Sequence, residues 1–340
     1  MSRDPVIDQM RVIGLALVIL AHTNPPAWLF QVRNFDVILL VITAGMTFHI
    51  SGGDSRGYPD YLWTRFLRLL IPVWIFLSAL FLAMLPTPFI SQFSASDIVE
   101  SYLMAGGIGY VWIMRVFFLI SVLAPFVAFV SKKVKSHYIF FSLIAVVLAS
   151  ITVLSILYAD GLSENHSLLN VVLQTVCYVA VFSVGYRVVS VGRLGGLGGK
   201  VSIVAMAFLA TIAVSLLSVG IEFQDYKFPP TGYFVVYGIL GTLVIWQALA
   251  GLNRHRQPGR VDNLLSLVGS STVWIYLWHI PVVLLQRATD LFPNFLVTWL
   301  AAMAFAMFAA FTQKAVITWL IERIRPRQDM KRLILGMFTG

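Results

Sequence analysis

The sequence predicts an all-α integral membrane protein, a bundle of about ten transmembrane helices that forms a single domain with both termini in the cytoplasm. Three observations lead to this fold class: the composition, the length of the apolar runs and the placement of lysine and arginine. Of the 340 residues, 59% are apolar and 11% are charged, whereas a soluble domain carries about 25% charged residues. The chain therefore has too little polar surface to cover a globule in water.

The apolar residues fall in long runs, and a helix needs roughly 20 residues to cross a bilayer. Helices are favoured because lipid offers the backbone no hydrogen-bond partner. Asp4 and Asp8 precede or begin the first run and no clear small-residue cleavage site follows it, so we interpret it as a retained helix rather than a signal peptide. The predicted helices cover residues 6–22, 36–50, 66–85, 110–130, 138–158, 168–189, 201–219, 233–250, 264–285 and 295–321.

Lysine and arginine are concentrated in every second connecting segment. Cytoplasmic segments carry the excess of these residues, so the pattern puts both termini in the cytoplasm and makes the number of helices even. The intervening segments carry only Arg33, Lys227 and Arg287. The net charge of +9 thus follows from topology and does not indicate a nucleic-acid partner. The cations assigned to the cytoplasmic side are Arg3, Arg56, Arg65, Lys132, Lys133, Lys135, Arg193, Lys200, Arg254, Arg256, Arg260, Arg323, Arg325, Arg327, Lys331 and Arg332.

No separate soluble domain is predicted. The glycine-rich stretch 192–200 looks like a phosphate-binding loop, but Leu194 stands where the Walker pattern requires glycine and Val201 where it requires serine or threonine. We interpret the stretch as a flexible cytoplasmic linker. The sequence has neither a cysteine cluster or H-E-x-x-H motif nor a G-x-S-x-G nucleophile motif, so we predict no metal site and no permanently bound cofactor.

Ionisable side chains inside a membrane are costly, and they point to functional sites. Arg11, His22, Arg115 and His279 are of this kind. Arg11 and His22 are eleven positions apart on the first predicted helix, so both face one direction, about 16 Å apart along the axis. In the predicted topology, His22, Arg115 and His279 share one depth near the external face. These side chains form our first candidate site.

Each member of this site also has a structural interpretation. A neutral imidazole at His22 can take a proton from an alcohol as it attacks a thioester, or it can bond a neighbouring helix. His279 stands where an interfacial helix end is also expected, and Arg115 can reach lipid headgroups. Arg11 lies three positions after Asp8, and an i,i+3 ion pair between the two is the simplest explanation of this spacing.

Arg65 and Arg68 form a second candidate site at the cytoplasmic start of the third predicted helix. Their i,i+3 spacing puts both guanidinium groups on one face. Paired arginines suit phosphate because they offer planar, bidentate hydrogen bonds. Acetyl-CoA, the thioester most available in cytoplasm, carries such phosphates. The alternative interpretation is a plain positive-inside anchor.

Several of these residues belong to one larger pattern. Arg11 and His22 are separated by ten residues, Arg65-x-x-Arg68 begins the third helix, and a Tyr-Leu-x-His-x-Pro motif contains His279. The pattern resembles the acyltransferase-3 family of membrane O-acyltransferases, whose first helix carries arginine and histidine at that spacing and whose ten-helix topology agrees. The resembling segments are 6–23, 34–45, 65–72, 111–125 and 275–281, which together extend over nearly the whole chain.

The resemblance implies an O-acetyltransferase that moves an acetyl group from cytoplasmic acetyl-CoA, used as a cosubstrate, to a sugar hydroxyl. The acceptor would be a surface or lipid-linked glycan, such as lipopolysaccharide or exopolysaccharide, and the protein would lie in a bacterial inner membrane. Arg65 and Arg68 would bind the CoA phosphates, and Arg11 would orient the donor or stabilise charge. His22 would act as the general base or carry the acyl group transiently.

By the same resemblance, His279 would contact the acceptor, and we predict Arg115 as a second acceptor contact. Two residues depart from the family pattern. Ala44 replaces the usual serine before Gly45, which puts a hydroxyl contact there in doubt. Arg115 stands where members often carry an uncharged or aromatic residue, a change that fits an anionic acceptor. The chain lacks the C-terminal hydrolase-like domain of some members, so we expect a single-step transferase.

A transporter or flippase for a polar substrate is the main alternative, because buried polar groups in a helical bundle suit transport as well. The sequence shows no internal repeat and no broken helices at matching positions of two halves, features that are typical of transporters. A non-catalytic membrane scaffold is a third alternative. If the chain is an enzyme, the external loops 86–109 and 220–232 are expected to decide acceptor choice, since loops carry specificity on rigid scaffolds.

Overall fold

The fold is that of a computed structural model of the chain. The structure describes residues 4–53, 57–158, 168–190, 223–253 and 259–339. Helices extend through most of these segments, as the sequence predicts. The predicted seventh helix, 201–219, and the glycine-rich stretch 192–200 lie outside the described residues.

The described helices are numbered in chain order. They are α1 (Pro5–Ala21), α2 (Ala27–Val32), α3 (Asp36–Ile50), α4 (Tyr58–Met84), α5 (Ala95–Tyr102), α6 (Trp112–Lys133), α7 (His137–Leu157), α8 (Leu168–Ser190), α9 (Gly232–Leu252), α10 (Arg260–Ser270), α11 (Thr272–Trp278), α12 (Ile280–Thr289), α13 (Phe295–Ile324) and α14 (Gln328–Phe338). Two short 3₁₀ helices, Pro88–Gln92 and Phe223–Tyr226, lie in the connecting loops.

Seven helical stretches in the described part of the chain are long and apolar enough to cross a membrane: α2 together with α3, and then α4, α6, α7, α8, α9 and α13. The chain is therefore a multi-pass membrane protein. The bent series α10–α12 would add an eighth span. α1 has 17 residues and is shorter than the roughly 20 residues of a full span. The predicted total of ten and the cytoplasmic position of the termini stay predictions.

The predicted ninth helix, 264–285, is broken, which corrects the expectation of a continuous helix. α10 is bent by 71° from the stretch that follows it, and Ser271 at the bend leaves helical geometry with φ −111° and ψ 19°. A second interruption falls at His279, shortly before Pro281, because proline lacks the N–H that a continuing helix needs. A few hydroxyl side chains and one proline barely change the mean hydropathy, so the apolar pattern does not register these breaks.

Besides α10, which begins at Arg260 rather than at position 264, two further helix starts differ from the predicted boundaries by two residues or more. α4 begins at Tyr58 rather than at position 66, because Pro59 and Asp60 suit a first helical turn, where a missing N–H is tolerated and negative charge is favoured. α6 begins at Trp112, so Tyr110, the predicted start of this helix, lies instead in the loop that precedes it. This second difference places Tyr110 where its side chain can approach the end of α1.

The helices pack into two compact units. The first unit consists of Met1–Val18, Pro26–Gly57 and Leu119–Leu265, and the second of Ile19–Pro25, Tyr58–Phe118 and Ser266–Gly340. Each unit thus draws together segments that are distant in sequence. A core of apolar side chains is buried within each of them.

In the first unit, α3 and α8 approach closely where two glycines meet the opposite backbone. A Cβ atom at Gly45 would overlap the Phe182 carbonyl oxygen and lie 2.8 Å from the Tyr186 nitrogen. A Cβ atom at Gly185 would overlap the Ile42 carbonyl oxygen. Small residues at such crossings let membrane helices pack at short range. Gly45 is therefore required by packing, whether the residue before it is Ala44, as here, or the serine that the family usually carries.

A buried polar cluster in the first unit explains two of the three cations in the predicted external segments. Arg33 donates to Asp36 at 2.6 Å, and both side chains are almost completely buried. Lys227 is buried as well. Burial lowers the pKa of Lys227 to about 8; the Asp36 carboxylate opposes this shift and the Arg33 guanidinium adds to it. These cations are thus held inside the protein and do not contradict the charge pattern.

Replacing Lys227 with methionine is expected to remove part of the pH dependence of stability. Lys227 has its ordinary pKa of 10.5 when the chain is unfolded and a pKa of about 8 when it is folded. Between these values the unfolded state binds more protons, so stability rises with pH. Relative to the variant, the wild type should gain up to about 3 kcal/mol across this window.

Unfolding in detergent micelles at a series of pH values measures this effect. Lys331→Met is the matched control because Lys331 is exposed on α14, and it should keep the wild-type slope. A Lys227→Met protein whose stability changes with pH as steeply as that of the wild type would contradict the prediction.

Candidate active site

The two histidines that the sequence analysis singled out, His22 and His279, are in direct contact within the second unit. His22 follows the last residue of α1, and its backbone nitrogen donates to the Ile19 carbonyl at 3.0 Å. His279 stands at the junction of α11 and α12 and is completely buried. His22 Nδ1 and His279 Nε2 are 2.8 Å apart, and the two ring planes are inclined by only 18°, with centroids 5.0 Å apart. The second, smaller interruption of the predicted ninth helix, at His279, therefore falls at a site residue, whereas the 71° bend lies at Ser271.

When both rings are neutral, one assignment of protons satisfies the hydrogen bonds of this pair. His279 Nδ1 lies against the Tyr276 carbonyl oxygen, which can only accept, so Nδ1 carries the proton and Nε2 of the neutral ring accepts. His22 Nδ1 then donates to His279 Nε2, and neutral His22 has its lone pair on Nε2. When Nε2 takes up a proton, the charged ring becomes a stronger donor to His279. The pair can therefore act as a base at His22 Nε2.

Two tyrosines enclose the histidine pair. The ring centroid of Tyr110 is 4.5 Å from that of His22, and the ring centroid of Tyr276 is 4.9 Å from that of His279. The Tyr276 hydroxyl donates to the Tyr110 carbonyl oxygen, which ties the loop before α6 to α11. Neither tyrosine is among the site residues predicted from the sequence. The Tyr-Leu-x-His-x-Pro motif contains Tyr276 and could have indicated it, whereas the apolar pattern assigns Tyr110 to a helix and gives no signal for its role.

Arg287, the third cation of the predicted external segments, lies over the Tyr110 ring. Its Cζ atom is 5.2 Å from the ring centroid, a distance typical of a cation–π contact. Burial raises the pKa of Tyr110 to about 12, and the Arg287 charge partly offsets this shift. Tyr110 is therefore a protonated phenol at physiological pH, with a positive charge beside it.

A family model described as an acyltransferase domain matches residues 4–318, nearly the whole chain. The chain belongs to the acyltransferase-3 family. This finding confirms the resemblance that the helix-one Arg and His, the Arg-x-x-Arg pair and the Tyr-Leu-x-His-x-Pro motif carry, and it makes the protein a membrane acyltransferase. No curated protein and no solved structure matches the chain.

In this acyltransferase, Arg11 is held by polar groups of the first unit. The predicted ion pair with Asp8 is present at 3.6 Å, and Arg11 Nη2 donates to the Thr47 hydroxyl of α3 at 2.6 Å. The Thr47 hydroxyl in turn donates to the Thr43 carbonyl. Arg11 is thus partly buried and oriented by two helices, and its predicted role toward the donor stays a prediction.

Arg115 lies in the first turn of α6 and is half-buried. The hydrogen bonds that connect His22, His279 and Tyr276 do not include it. The structure therefore brings two of the three side chains of the predicted external site together, and acceptor binding by Arg115 stays a prediction.

The arginine pair of the acyltransferase lies about two to three turns inside α4 and not at its start as predicted, because the helix begins at Tyr58. Arg65 is half-buried, with its Cζ atom 5.2 Å from the centroid of the Tyr61 ring, and Arg68 is exposed. The Tyr61 ring fixes one guanidinium group by cation–π contact, while the other stays accessible. Such a pair can receive a phosphate group at the protein surface.

The C-terminal helix α14 packs beside this pair in the same unit. A Cβ atom at Gly336 would lie 3.6 Å from Arg68 Nε, and Trp274 Nε1 donates to the Met337 carbonyl at 2.9 Å. Arg332 precedes Gly336 by one helical turn on the same face and is exposed. The sequence analysis used the C-terminal cations only as topology signals, because the sequence does not reveal that α14 returns to α4.

Proposed function

We propose that this acyltransferase transfers an acetyl group from cytoplasmic acetyl-CoA to a sugar hydroxyl of a surface or lipid-linked glycan, such as lipopolysaccharide or exopolysaccharide. Its location would be the bacterial inner membrane. The observation that carries the proposal is the contact of His22 Nδ1 with His279 Nε2 at 2.8 Å in a chain of an acyl-transferring family. Family membership supports the reaction class, and the donor and acceptor are part of the proposal.

In the direct route, His22 Nε2 takes the proton of the sugar hydroxyl while its oxygen attacks the thioester carbonyl carbon. The C–S bond then breaks, and the CoA thiolate receives the proton from His22. His279 is completely buried, so we assign it to positioning His22 rather than to touching the acceptor. In the alternative route, His22 Nε2 itself takes the acyl group and passes it on. Release of CoA in a burst, without any acceptor present, would favour that second route.

Arg65 and Arg68 are proposed to bind the CoA phosphates, with Arg332 of α14 as an additional cation. The Arg65→Ala/Arg68→Ala protein is expected to bind CoA about a hundredfold more weakly, because each charged hydrogen bond to phosphate contributes roughly 1.5–3 kcal/mol. The acyl-transfer rate at saturating donor should change little. The dissociation constant of CoA, measured by calorimetry in detergent, checks the first expectation.

Lys133→Ala/Lys135→Ala is the matched control for this variant. It removes the same charge from another segment assigned to the cytoplasmic side and should leave CoA affinity within about twofold, since exposed charges interact weakly at physiological salt. Equal CoA affinity in the arginine variant and the wild type would remove the phosphate-binding role from this pair.

The proposed reaction is tested with purified protein in liposomes that contain a mixed glycolipid extract. Labelled acetyl-CoA is added, and thioester consumption is followed together with label on the glycolipids. The proposal expects consumption of acetyl-CoA that depends on the extract. A transporter or flippase would move its substrate without consuming the thioester, so a folded protein that neither binds nor consumes acetyl-CoA with any extract would make transport the leading function.

A further inference from the structure

We propose that the Tyr110 hydroxyl binds the carbonyl oxygen of the donor thioester and stabilises the negative charge that this oxygen acquires during transfer. The inference rests on the proposed function, because it assigns a further catalytic residue to the same site. Four properties of Tyr110 support it: an unsatisfied hydroxyl, contact with His22, a fixed backbone and a neighbouring positive charge.

Tyr110 is only 6% exposed, and its hydroxyl is buried without a hydrogen-bond partner among the described residues. Burial of a hydroxyl without a partner is unfavourable, because the water it gives up is not replaced. Other tyrosine hydroxyls of the same unit are paired: that of Tyr276 donates to the Tyr110 carbonyl, and that of Tyr102 bonds the Ser78 hydroxyl at 2.8 Å. A substrate oxygen would supply the partner that Tyr110 lacks.

The location of Tyr110 suits a group that acts together with the base. Its ring lies 4.5 Å from the His22 ring, tilted by 54°, and 6.1 Å from the His279 ring. In acyl transfer the base and the oxyanion donor must both come within about 3 Å of the reacting group. A phenol and an imidazole in van der Waals contact can meet this requirement with one thioester between their polar atoms.

The loop that carries Tyr110 is held in one conformation. The Ser101 hydroxyl accepts from the Ile108 nitrogen at 2.9 Å, and the Tyr276 hydroxyl holds the Tyr110 carbonyl. Gly107 and Gly109 have φ angles of +61° and +76°, a region that favours glycine. A donor fixed before the reaction stabilises a developing charge most effectively, because no reorganisation is needed when the charge forms.

The charge around Tyr110 also suits an oxyanion. The Arg287 guanidinium lies over the ring and favours negative charge nearby. Burial keeps the pKa of Tyr110 at about 12, against the effect of Arg287, so the phenol remains a donor at physiological pH. Phenolate itself could only accept a hydrogen bond and would repel the oxyanion.

In the proposed step, the sugar hydroxyl oxygen forms a bond to the thioester carbonyl carbon while its proton passes to His22 Nε2. The electron pair of the C=O π bond moves to the carbonyl oxygen, which accepts the hydrogen bond from Tyr110. Re-formation of C=O then expels the CoA thiolate, which takes the proton from His22. Acetyl sugar and free CoA are the products, and Tyr110 keeps its proton throughout.

Tyr110→Phe removes the hydroxyl and keeps the ring. We expect kcat to fall about a hundredfold, the effect of losing one oxyanion donor, with unchanged CoA affinity and thermal stability equal to or above that of the wild type. Tyr237→Phe is the matched control, because it removes a tyrosine hydroxyl that is paired, donating to the Val32 carbonyl at 2.6 Å, outside the candidate site; it should keep kcat within about twofold although it loses a hydrogen bond.

A second variant series provides a measurement that a purely structural role would not change. Fluorinated tyrosines of decreasing phenol pKa are placed at position 110, and kcat is measured from neutral to alkaline pH. Because phenolate cannot donate, kcat should fall at high pH, at a lower pH for each more acidic phenol. Full activity of Tyr110→Phe would overturn the inference. So would a fall of kcat at high pH that occurs at the same pH for every substituted tyrosine. In either case, activity of the wild type would leave the proposed function intact. A wild type that consumes no acetyl-CoA would overturn both.

Discussion

Replacing His22 with alanine is expected to lower the acyl-transfer rate about a thousandfold, the usual contribution of a general base, while CoA still binds normally. His22 Nε2 is the nitrogen that the hydrogen-bond chain leaves basic, and alanine supplies no substitute. The measurement is kcat with saturating acetyl-CoA, together with the dissociation constant of CoA. His49→Ala is the histidine control, since His49 packs against Tyr186 in the other unit and has no proposed role in proton transfer.

His279 provides a check on how His22 works. His279→Ala should lower kcat because His22 Nδ1 loses its acceptor, but in a protein that already carries His22→Ala it should cost little more. Residues that act as one unit show this lack of additivity. A His22→Ala protein that keeps more than about a tenth of the wild-type rate would contradict a general-base role. Equal and additive effects would mean that the two histidines act separately.

Gly45→Ala is expected to destabilise the protein strongly, by roughly 3 kcal/mol or more. The added methyl group would overlap the Phe182 carbonyl oxygen and approach the Tyr186 nitrogen at 2.8 Å. Both are backbone atoms of α8, so no side chain can rotate away and the helices must separate. Thermal unfolding in detergent should show a much lower midpoint and less folded protein.

Gly251→Ala is the matched control for this substitution. Gly251 lies in the last turn of α9, and a Cβ atom there would meet nothing within 4 Å. Alanine should leave stability unchanged or raise it by up to about 1 kcal/mol, because it restricts the unfolded chain and favours helix. If both alanine variants unfold at the same temperature, close packing at Gly45 does not stabilise the fold.

The sequence predicts the helices well where apolar runs and polar boundaries coincide. α3 has the predicted bounds, 36–50, and α8 differs from its predicted end by one residue. The break at Ser271 and the loop at Tyr110 are not predictable in this way, since mean hydropathy is insensitive to a bend and Tyr110 is itself compatible with a helix. The loop at Tyr110 contacts His22, whereas the break at Ser271 lies one short helix, Thr272–Trp278, before His279.

The candidate site, too, is predictable from the sequence only in part. The cost of burying charge in lipid singles out His22 and His279 from sequence, and the family match confirms the reaction class. Their contact, made by residues at opposite ends of the chain, depends on tertiary packing that no local pattern contains. Tyr110 is not predictable for a related reason. That its hydroxyl lacks a hydrogen-bond partner is evident only from the folded structure around it.

The most direct test uses sealed proteoliposomes that contain acetyl-CoA labelled in the acetyl group, with glycolipid in the bilayer and either the wild-type protein or His22→Ala. Mass spectrometry of the glycolipid before and after treatment with a mild base that cleaves esters reports whether the label is on the glycolipid and whether an ester holds it. We predict an ester-linked acetyl group on a sugar hydroxyl with the wild type and none with His22→Ala. Labelled glycolipid at equal levels with both proteins would contradict the role of His22, and an unlabelled glycolipid with a folded, CoA-binding wild type would contradict the transfer itself.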